Sequence, residues 1–454
     1  MLTARSRVLM VACGAAGLTA LYACSSDSPS TEGNANGTAD AASAEASSSS
    51  DASSSDGATN VDALSDAARR EPTVHVFARA FTTCATKGGV AKCWGANDKG
   101  QLGNGAFASM VTTPVAVSSL SAPTHMVAAN GHTCALSAAG VSCWGSNVAG
   151  QLGHDPASDP KDCASAACRN VPQTVPGLSG TTALTAGIDF TCALVSGGVS
   201  CWGSPNYAQL GPARDGGATF SPGPVPMTGT VVEVGAGSNN VCARKADGTV
   251  WCWGRNQLGQ LGSGASDAGF DGTAYATPVQ VPGLTGVVSV AVGGQHACAI
   301  RGDGTVACWG SNANGETTNP GGQLGHDPSS DPACTGGAPC SASPTTVSGI
   351  TNARKLALGS YHSCALLADD TVSCWGSNNN GLLGHDPSKD LGVQFAPKPV
   401  TGLTNVGDLS VGDFHSCVVT RDDQVLCWGE NGAGQLAKSF ASLGSSFTPV
   451  AVGL

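Results

Sequence analysis

Gly140-Val-Ser-Cys-Trp-Gly-Ser-Asn-Val-Ala-Gly-Gln-Leu-Gly153 is the stretch that decides the fold of this chain. It reads as the return strand of a hairpin, carrying a cysteine and a tryptophan, followed by a glycine-rich exit. Gly150 and Gly153 suit positive φ or close backbone approach in that exit. The string W-G-x-N-x-x-G-Q-L-G recurs along the chain, and a second cysteine precedes it each time by nine or ten residues. The pairs are Cys84 with Cys93, Cys134 with Cys143, Cys192 with Cys201, Cys242 with Cys252, Cys298 with Cys308, Cys364 with Cys374, and Cys417 with Cys427. Trp94, Trp144, Trp202, Trp253, Trp309, Trp375 and Trp428 follow them, spaced 50 to 66 residues apart. A period near fifty with short strands and Gly-rich turns marks a propeller, in which each repeat buries its faces only against its neighbours. The expected fold is all-β, a seven-bladed β-propeller.

One full unit begins with Pro114-Val-Ala-Val117, an edge strand. An apolar inner strand, His125 to Leu136, comes next, then the hairpin and the exit. Trp144 reads as core that packs against the next blade. The chain enters the first unit at an inner strand, Val74 to Thr83, with no Pro-Val strand before it. It ends in Pro449-Val-Ala-Val-Gly-Leu454, a strand of the missing type. The ring is therefore expected to close by this C-terminal strand completing the first blade.

The pattern resembles the regulator of chromosome condensation repeat, a seven-bladed propeller family, over residues 74–454. Kelch and WD repeats do not carry the W-G-x-N-x-x-G-Q-L-G string. The third unit departs from it with Pro205 and Ala208. The fifth inserts residues 316–322 before Gln323-Leu324-Gly325, and the seventh ends Gln435-Leu436-Ala437. The resemblance implies two functions as alternatives: nucleotide exchange on a small GTPase, and inhibition of a secreted enzyme, since a bacterial beta-lactamase inhibitor uses a similar propeller.

Cysteine usage points to an oxidising compartment. Of 20 cysteines, 14 form the seven repeat pairs. Cys163 with Cys168 and Cys334 with Cys340 are two more local pairs in inserted loops, giving nine expected disulfides. Turn residues between the repeat cysteines set each pair across an antiparallel hairpin, where facing Cβ atoms come within bonding reach. A metal reading fails here, because one hairpin supplies only two ligands.

The N-terminus reads as an export signal at residues 1–23. Arg5 and Arg7 precede an apolar run from Val8 to Leu21. Leu21-Tyr-Ala-Cys24 resembles a bacterial lipobox, with Cys24 as the lipidated residue. Residues 24–72 form a Ser/Ala/Asp-rich linker. Thirteen serines, nine acids and no aromatic in this stretch leave too little apolar surface to offset chain entropy, so disorder is expected. Residues 73–454 form the propeller. The net charge of −11 argues against nucleic acid, which needs a basic footprint. Apart from the lipid, nothing is expected to enter a membrane.

No catalytic constellation stands out. His132, His296, His362 and His415 each lie two residues before a repeat cysteine, where other units carry Thr82, Phe190 and Asn240. So variable a slot reads as a repeat position. His-Asp-Pro recurs after three exits and continues to a second acid: Asp155 and Asp159, Asp327 and Asp331, Asp386 and Asp390. Calcium is the metal these pairs would suit. The favoured reading is an Asp-Pro turn repeated by duplication. Tyr207, Phe220, Phe270 and Tyr275 are the aromatics expected on an inhibitor-like surface. The sequence thus reads as a non-enzymatic, monomeric binding or scaffold propeller without cofactor. It would be lipid-anchored at the cell envelope outside the cytoplasm, recognising a protein or other extracellular ligand through its blade loops.

Overall fold

The computed structural model describes residues 70–163, 166–212, 219–264, 274–314, 320–389 and 392–454. The expected signal segment, Cys24, the linker up to residue 69, Phe270 and Asp390 lie outside the described residues. The first blade consists of β1 (His75–Arg79), β2 (Thr82–Lys87), β3 (Val90–Asn97) and β4 (Ala108–Ala116), each antiparallel to the one before. Six more four-stranded sheets repeat this order. The seven-bladed architecture is as expected. The apolar run taken as one inner strand is in fact two. In the first blade it breaks at Ala80, with φ 45°. The first half alternates between core and axis and the second is buried on both faces, and composition does not mark the break.

All seven repeat cysteine pairs face each other across the second and third strands of their blades and are bonded. Cys84 is joined to Cys93, Cys134 to Cys143, Cys192 to Cys201 and Cys242 to Cys252. Cys298 is joined to Cys308, Cys364 to Cys374 and Cys417 to Cys427. Their Cα atoms lie 4.0 to 4.1 Å apart, the close approach of facing residues in an antiparallel pair. In the inserted loops, Cys163 is bonded to Cys168 and Cys334 to Cys340. The pairing is thus the one read from the cysteine spacing.

The rest of the repeat motif serves one joint. Each repeat tryptophan is fully buried and donates its indole N–H to a backbone carbonyl of the preceding blade. Trp144 reaches Gln101, Trp202 Gln151, Trp253 Gln209, Trp309 Gln260, Trp375 Gln323 and Trp428 Leu382, at 2.9 to 3.1 Å. The motif asparagine shapes the exit that presents this carbonyl. Asn147 Oδ1, for example, accepts the N–H of Leu152 at 3.0 Å. The glycine after each tryptophan has φ between 101° and 109°. A Cβ there would strike the carbonyl of the turn between the first two strands, as Gly376 would meet Tyr361 O at 2.6 Å.

The histidine slot completes the joint. His296 Nε2 lies 2.8 Å from Ser363 Oγ of the next blade, and that hydroxyl donates to Gln323 O at 2.9 Å. His132 meets Thr191, His362 meets Ser416 and His415 meets Thr83 in the same way. Each hydroxyl has one proton and gives it to the carbonyl. The imidazole must therefore donate from Nε2, leaving a bare Nδ1 lone pair. Burial holds all four imidazoles neutral, with pKa values lowered to about 3.

The expected strand exchange does not occur. The C-terminal strand Ser445–Val452 pairs with Val425–Glu430 inside the seventh blade. The Pro-Val segments end blades rather than begin them, so the first blade already owns one in β4. Closure is made by side chains. Trp94 Nε1 donates to Gln435 O of the seventh blade at 2.9 Å. Val74, Val76 and Ala78 pack with Val419, Val425 and Leu436 across the seam. Asp423 accepts the backbone N–H groups of Thr73 and Val74 at 2.6 and 3.2 Å. Arg421 grips Asp370 with two hydrogen bonds of 2.9 and 3.1 Å and donates to Arg70 O at 2.9 Å.

Two outcomes follow from these joints. Asp423→Ala should lower the melting temperature and raise amide exchange in His75–Arg79 and Val406–Val411 before blades three and four respond; uniform exchange would contradict a side-chain seam. The histidines set the acid limit. Their folded pKa lies far below the unfolded value near 6.5, so the unfolded chain binds more protons as pH falls from about 6.5 toward 3. Stability should decline over that window by up to about 1.4 kcal/mol per pH unit for each imidazole. His296→Gln should flatten the slope of denaturation free energy against pH by one proton, read from urea melts at pH 7, 6, 5 and 4.

Candidate functional site

Antiparallel order gives the ring two unlike faces. The β1–β2 turn and the β3–β4 loop of each blade emerge on one face. The β2–β3 hairpin turn and the link to the next blade emerge on the other. The described parts of the long insertions, from the exit glycines to the outer strand, therefore lie on the first, or loop, face.

The His-Asp-Pro insertions are on that face. Asp155 accepts the N–H of Ala157 at 2.8 Å and Asp327 that of Ser329 at 2.9 Å, each opening a single 3-10 turn. Asp386 accepts the N–H of Ser388 at 3.0 Å in the same role. The second acids point inward. Asp159 is buried and accepts from His154 Nε2 at 2.7 Å, Arg169 Nε at 2.6 Å and Asn147 Nδ2 at 2.5 Å. Asp331 accepts from His326 Nε2 at 2.7 Å and Asn312 Nδ2 at 2.6 Å. The hydrogen bond to Asp331 raises the pKa of His326. The two acids of a loop thus do different work: one starts a turn, and the other ties the loop to the motif asparagine. Among the described residues no three His, Cys, Asp or Glu side chains converge as a metal site.

Exposed apolar side chains gather on the same face. Nine large hydrophobics are exposed among the described residues. Six of them, Phe107, Val148, Val171, Tyr207, Phe440 and Phe447, lie in the loops or the outer strands that follow them. Of the aromatics singled out from sequence, Tyr207 is exposed and faces the Arg255 guanidinium at 5.2 Å. Phe220 is half-buried, with its ring set against Gly150, and Tyr275 packs on a blade core. Nearer the axis, Phe81 stacks on Phe414 at 5.5 Å and Tyr361 lies 6.0 Å beyond, joining blades one, seven and six.

The innermost strands enclose a cavity of about 500 Å³ on the propeller axis. Side chains at alternate positions of these strands face it. Aligning the units on their first cysteine shows one polar layer nine residues upstream: His75, His125, Ala183, Glu233, Ser289, Lys355 and Asp408. This layer escaped the motif search, because the column varies while the motif does not. It lies at the hairpin-turn mouth. Lys355 Nζ is 2.5 Å from Asp408 Oδ1, and His75 Nδ1 is 3.7 Å from Oδ2. Burial pushes the Asp408 carboxyl up, but the Lys355 charge and its partners outweigh this and hold it at about 2. The Asp408 partner raises the pKa of His75. Across the mouth, Glu233 Oε1 accepts from Ser289 Oγ at 2.8 Å and its Oε2 from Arg244 Nε at 2.8 Å. Burial lowers the pKa of His125, whose Nε2 lies 3.0 Å from Leu184 O. Lys355 and His75 face Asp408, and Arg244 faces Glu233, while the one hydroxyl of the layer, Ser289 Oγ, is spent as a donor to Glu233.

Comparison with known proteins agrees with this architecture. The RCC1-like domain matches residues 58–405, and a regulator of chromosome condensation (RCC1) repeat matches residues 408–435. The human E3 ubiquitin-protein ligase HERC2 is 29% identical over 255 residues, 54% of this chain and 5% of that protein. The Arabidopsis thaliana ultraviolet-B receptor UVR8 is 28% identical over 265 residues, 56% of this chain and 54% of the receptor. The matched regions thus span about half or less of these relatives. Among solved structures, human WBSCR16 superposes with a TM-score of 0.66 at 20% identity, covering 80% of this chain and 95% of that one. Yeast RCC1 (Prp20), crystallised bound to Kap60, gives 0.67 at 19% identity, covering 85% and 86%. The chain belongs to the RCC1-like domain family.

Proposed function

We propose that this chain is a binding propeller that docks a protein partner on its loop face and is carried, through a lipid on Cys24, at the cell envelope outside the cytoplasm. The observation that carries the docking part is the bias of exposed apolar side chains to that face. Solvent-exposed Phe107, Tyr207 and Phe440 on blade loops are the kind of side chain that anchors a protein interface. The repeat histidines and tryptophans are engaged in joints between blades and the motif asparagines in the exits that form them, which favours binding over catalysis. Protein binding also fits the fold relative Prp20, which is seen bound to Kap60. The envelope part is supported by the signal-like residues 1–23, the Ala23-Cys24 junction and nine bonded cysteine pairs, which suit an oxidising compartment. That compartment disfavours exchange on a small GTPase.

Two experiments test the halves separately. A photo-crosslinking amino acid placed at Phe440 or Phe107 should give a discrete adduct in intact cells, whereas one at Lys87, on the hairpin-turn face, should give none. Equal labelling from both faces would sink the loop-face reading. Cys24→Ser should move the protein from the membrane fraction to the soluble one; an unchanged distribution would rule out the lipid anchor.

A further inference from the structure

One channel position breaks the sevenfold pattern by its chemistry. Five residues before the first cysteine of each unit stand Arg79, Ala129, Gly187, Gly237, Gly293, Gly359 and Gly412. The small residues have a reason. A Cβ at Gly359 would meet Gly412 O at 2.6 Å and the His362 ring at 2.6 Å, and Gly293 is equally pressed by Gly359 O and His296. The first unit has Thr82 in the histidine slot, so no imidazole of its own blade stands against position 79. There the glycine gives way to arginine.

Arg79 closes the loop-face end of the axial cavity. Its guanidinium crosses the channel from the first blade and donates to Ala236 O of the fourth at 3.2 Å and to Val292 O of the fifth at 3.5 Å. No carboxylate among the described residues pairs with it. The polar layer at the other mouth lies four residues away along the strand, about 13 Å. For a cavity of about 500 Å³ that length gives a bore about 7 Å across. Between the two ends the wall is mostly apolar, with Phe77, Val127, Ala291 and Ala357 facing in and the Thr185 and Ser410 hydroxyls engaged by backbone N–H groups. The deep end therefore holds a part-buried cation with spare N–H donors, in a chain of net charge −11. Two carbonyl dipoles compensate a buried guanidinium only in part, whereas a carboxylate matches its planar fork.

We propose that the axial cavity is a binding site for a small elongated organic carboxylate, its anionic group on Arg79 and its apolar body in the bore. The size and the lining, a mostly apolar bore with Arg79 at one end and paired charges at the other, are those of a small-molecule site. Entry is from the mouth of His75, Lys355 and Asp408, where the charges are already paired and leave Arg79, among the described residues, as the cation without a carboxylate partner on the axis. The site lies on the axis and does not depend on what docks at the loop face.

The test uses the full folded chain and three probes, benzoate, phenylacetate and hexanoate, each paired with its neutral amide. Saturation-transfer NMR and calorimetry read binding, and tryptophan fluorescence melts report folding. The expected result is that at least one carboxylate binds, that its amide binds at least about tenfold more weakly, and that Arg79→Met removes the difference while Arg79→Lys restores part of it. The idea is overturned if no carboxylate binds the native protein at 10-millimolar order, or if Arg79→Met binds as the native chain does. Arg79 would then be only a spoke tying the first blade to the fourth and fifth. The Arg79→Lys variant keeps the test valid if Arg79→Met does not fold.

Discussion

The indole-to-carbonyl bond between neighbouring blades is the constraint on which the rest depends. A four-stranded blade has two apolar faces and cannot stand alone. Here every apolar cluster that includes a repeat tryptophan is shared by two consecutive blades. Trp309, for instance, packs with Val250, Leu261 and Val281 of the blade before it. The tryptophan supplies the bulk of that joint and, through Nε1, its register. It takes the carbonyl that the Gln-Leu exit presents, so the exit must hold one shape. The asparagine, the glycines and the glutamine of the motif exist to hold it. The motif is conspicuous in sequence because most of its fixed positions serve a single hydrogen bond.

The same constraint explains how the ring closes without a shared strand. If each joint is made by a side chain reaching back one blade, the seventh-to-first joint needs nothing different. Trp94 on Gln435 is the same bond as Trp309 on Gln260. What this seam lacks is a covalent link, since every other pair of blades is joined by the chain itself. Asp423 and the Arg421–Asp370 pair supply a polar substitute, fastening Arg70, Thr73 and Val74 to the seventh blade. The disulfides do not cross seams. The seven repeat pairs each lie within one blade, stiffening a hairpin whose fully buried residues are largely Ala, Val and Cys, and the other two close loops.

Architecture was legible in the sequence where a residue type has one use. Cysteine pairs, tryptophans and positive-φ glycines gave blade number and disulfide pairing. Closure was misread because the repeat is circular: a Pro-Val strand between two units belongs by pattern to either, and only its pairing with Val425–Glu430 decides. The loop acids were legible as turn residues, but the inward pairing of Asp159 with His154 and Arg169 was not, since the partners are five and ten residues away on an irregular path. The axial layers were missed for the opposite reason. The mouth layer has no common residue, and in the deeper column the informative residue, Arg79, is the exception among glycine and alanine.

Such columns are where a repeat protein has room to differ. Positions that make joints are tied to the neighbouring blade, and a change in one must be met in the next. A side chain facing the axis meets the cavity and the strands beside it. Arg79 illustrates the boundary between the two cases. Its column is confined to glycine or alanine wherever the slot three residues on holds a histidine, and at Gly412 the His415 ring itself fills the space. With Thr82 in that slot the constraint lapses, and the first blade alone carries a charge onto the axis at this level. Two positions three residues apart therefore vary together: Thr82 leaves out the ring that presses on the glycine elsewhere, and Arg79 places a cation that no other blade supplies at this level.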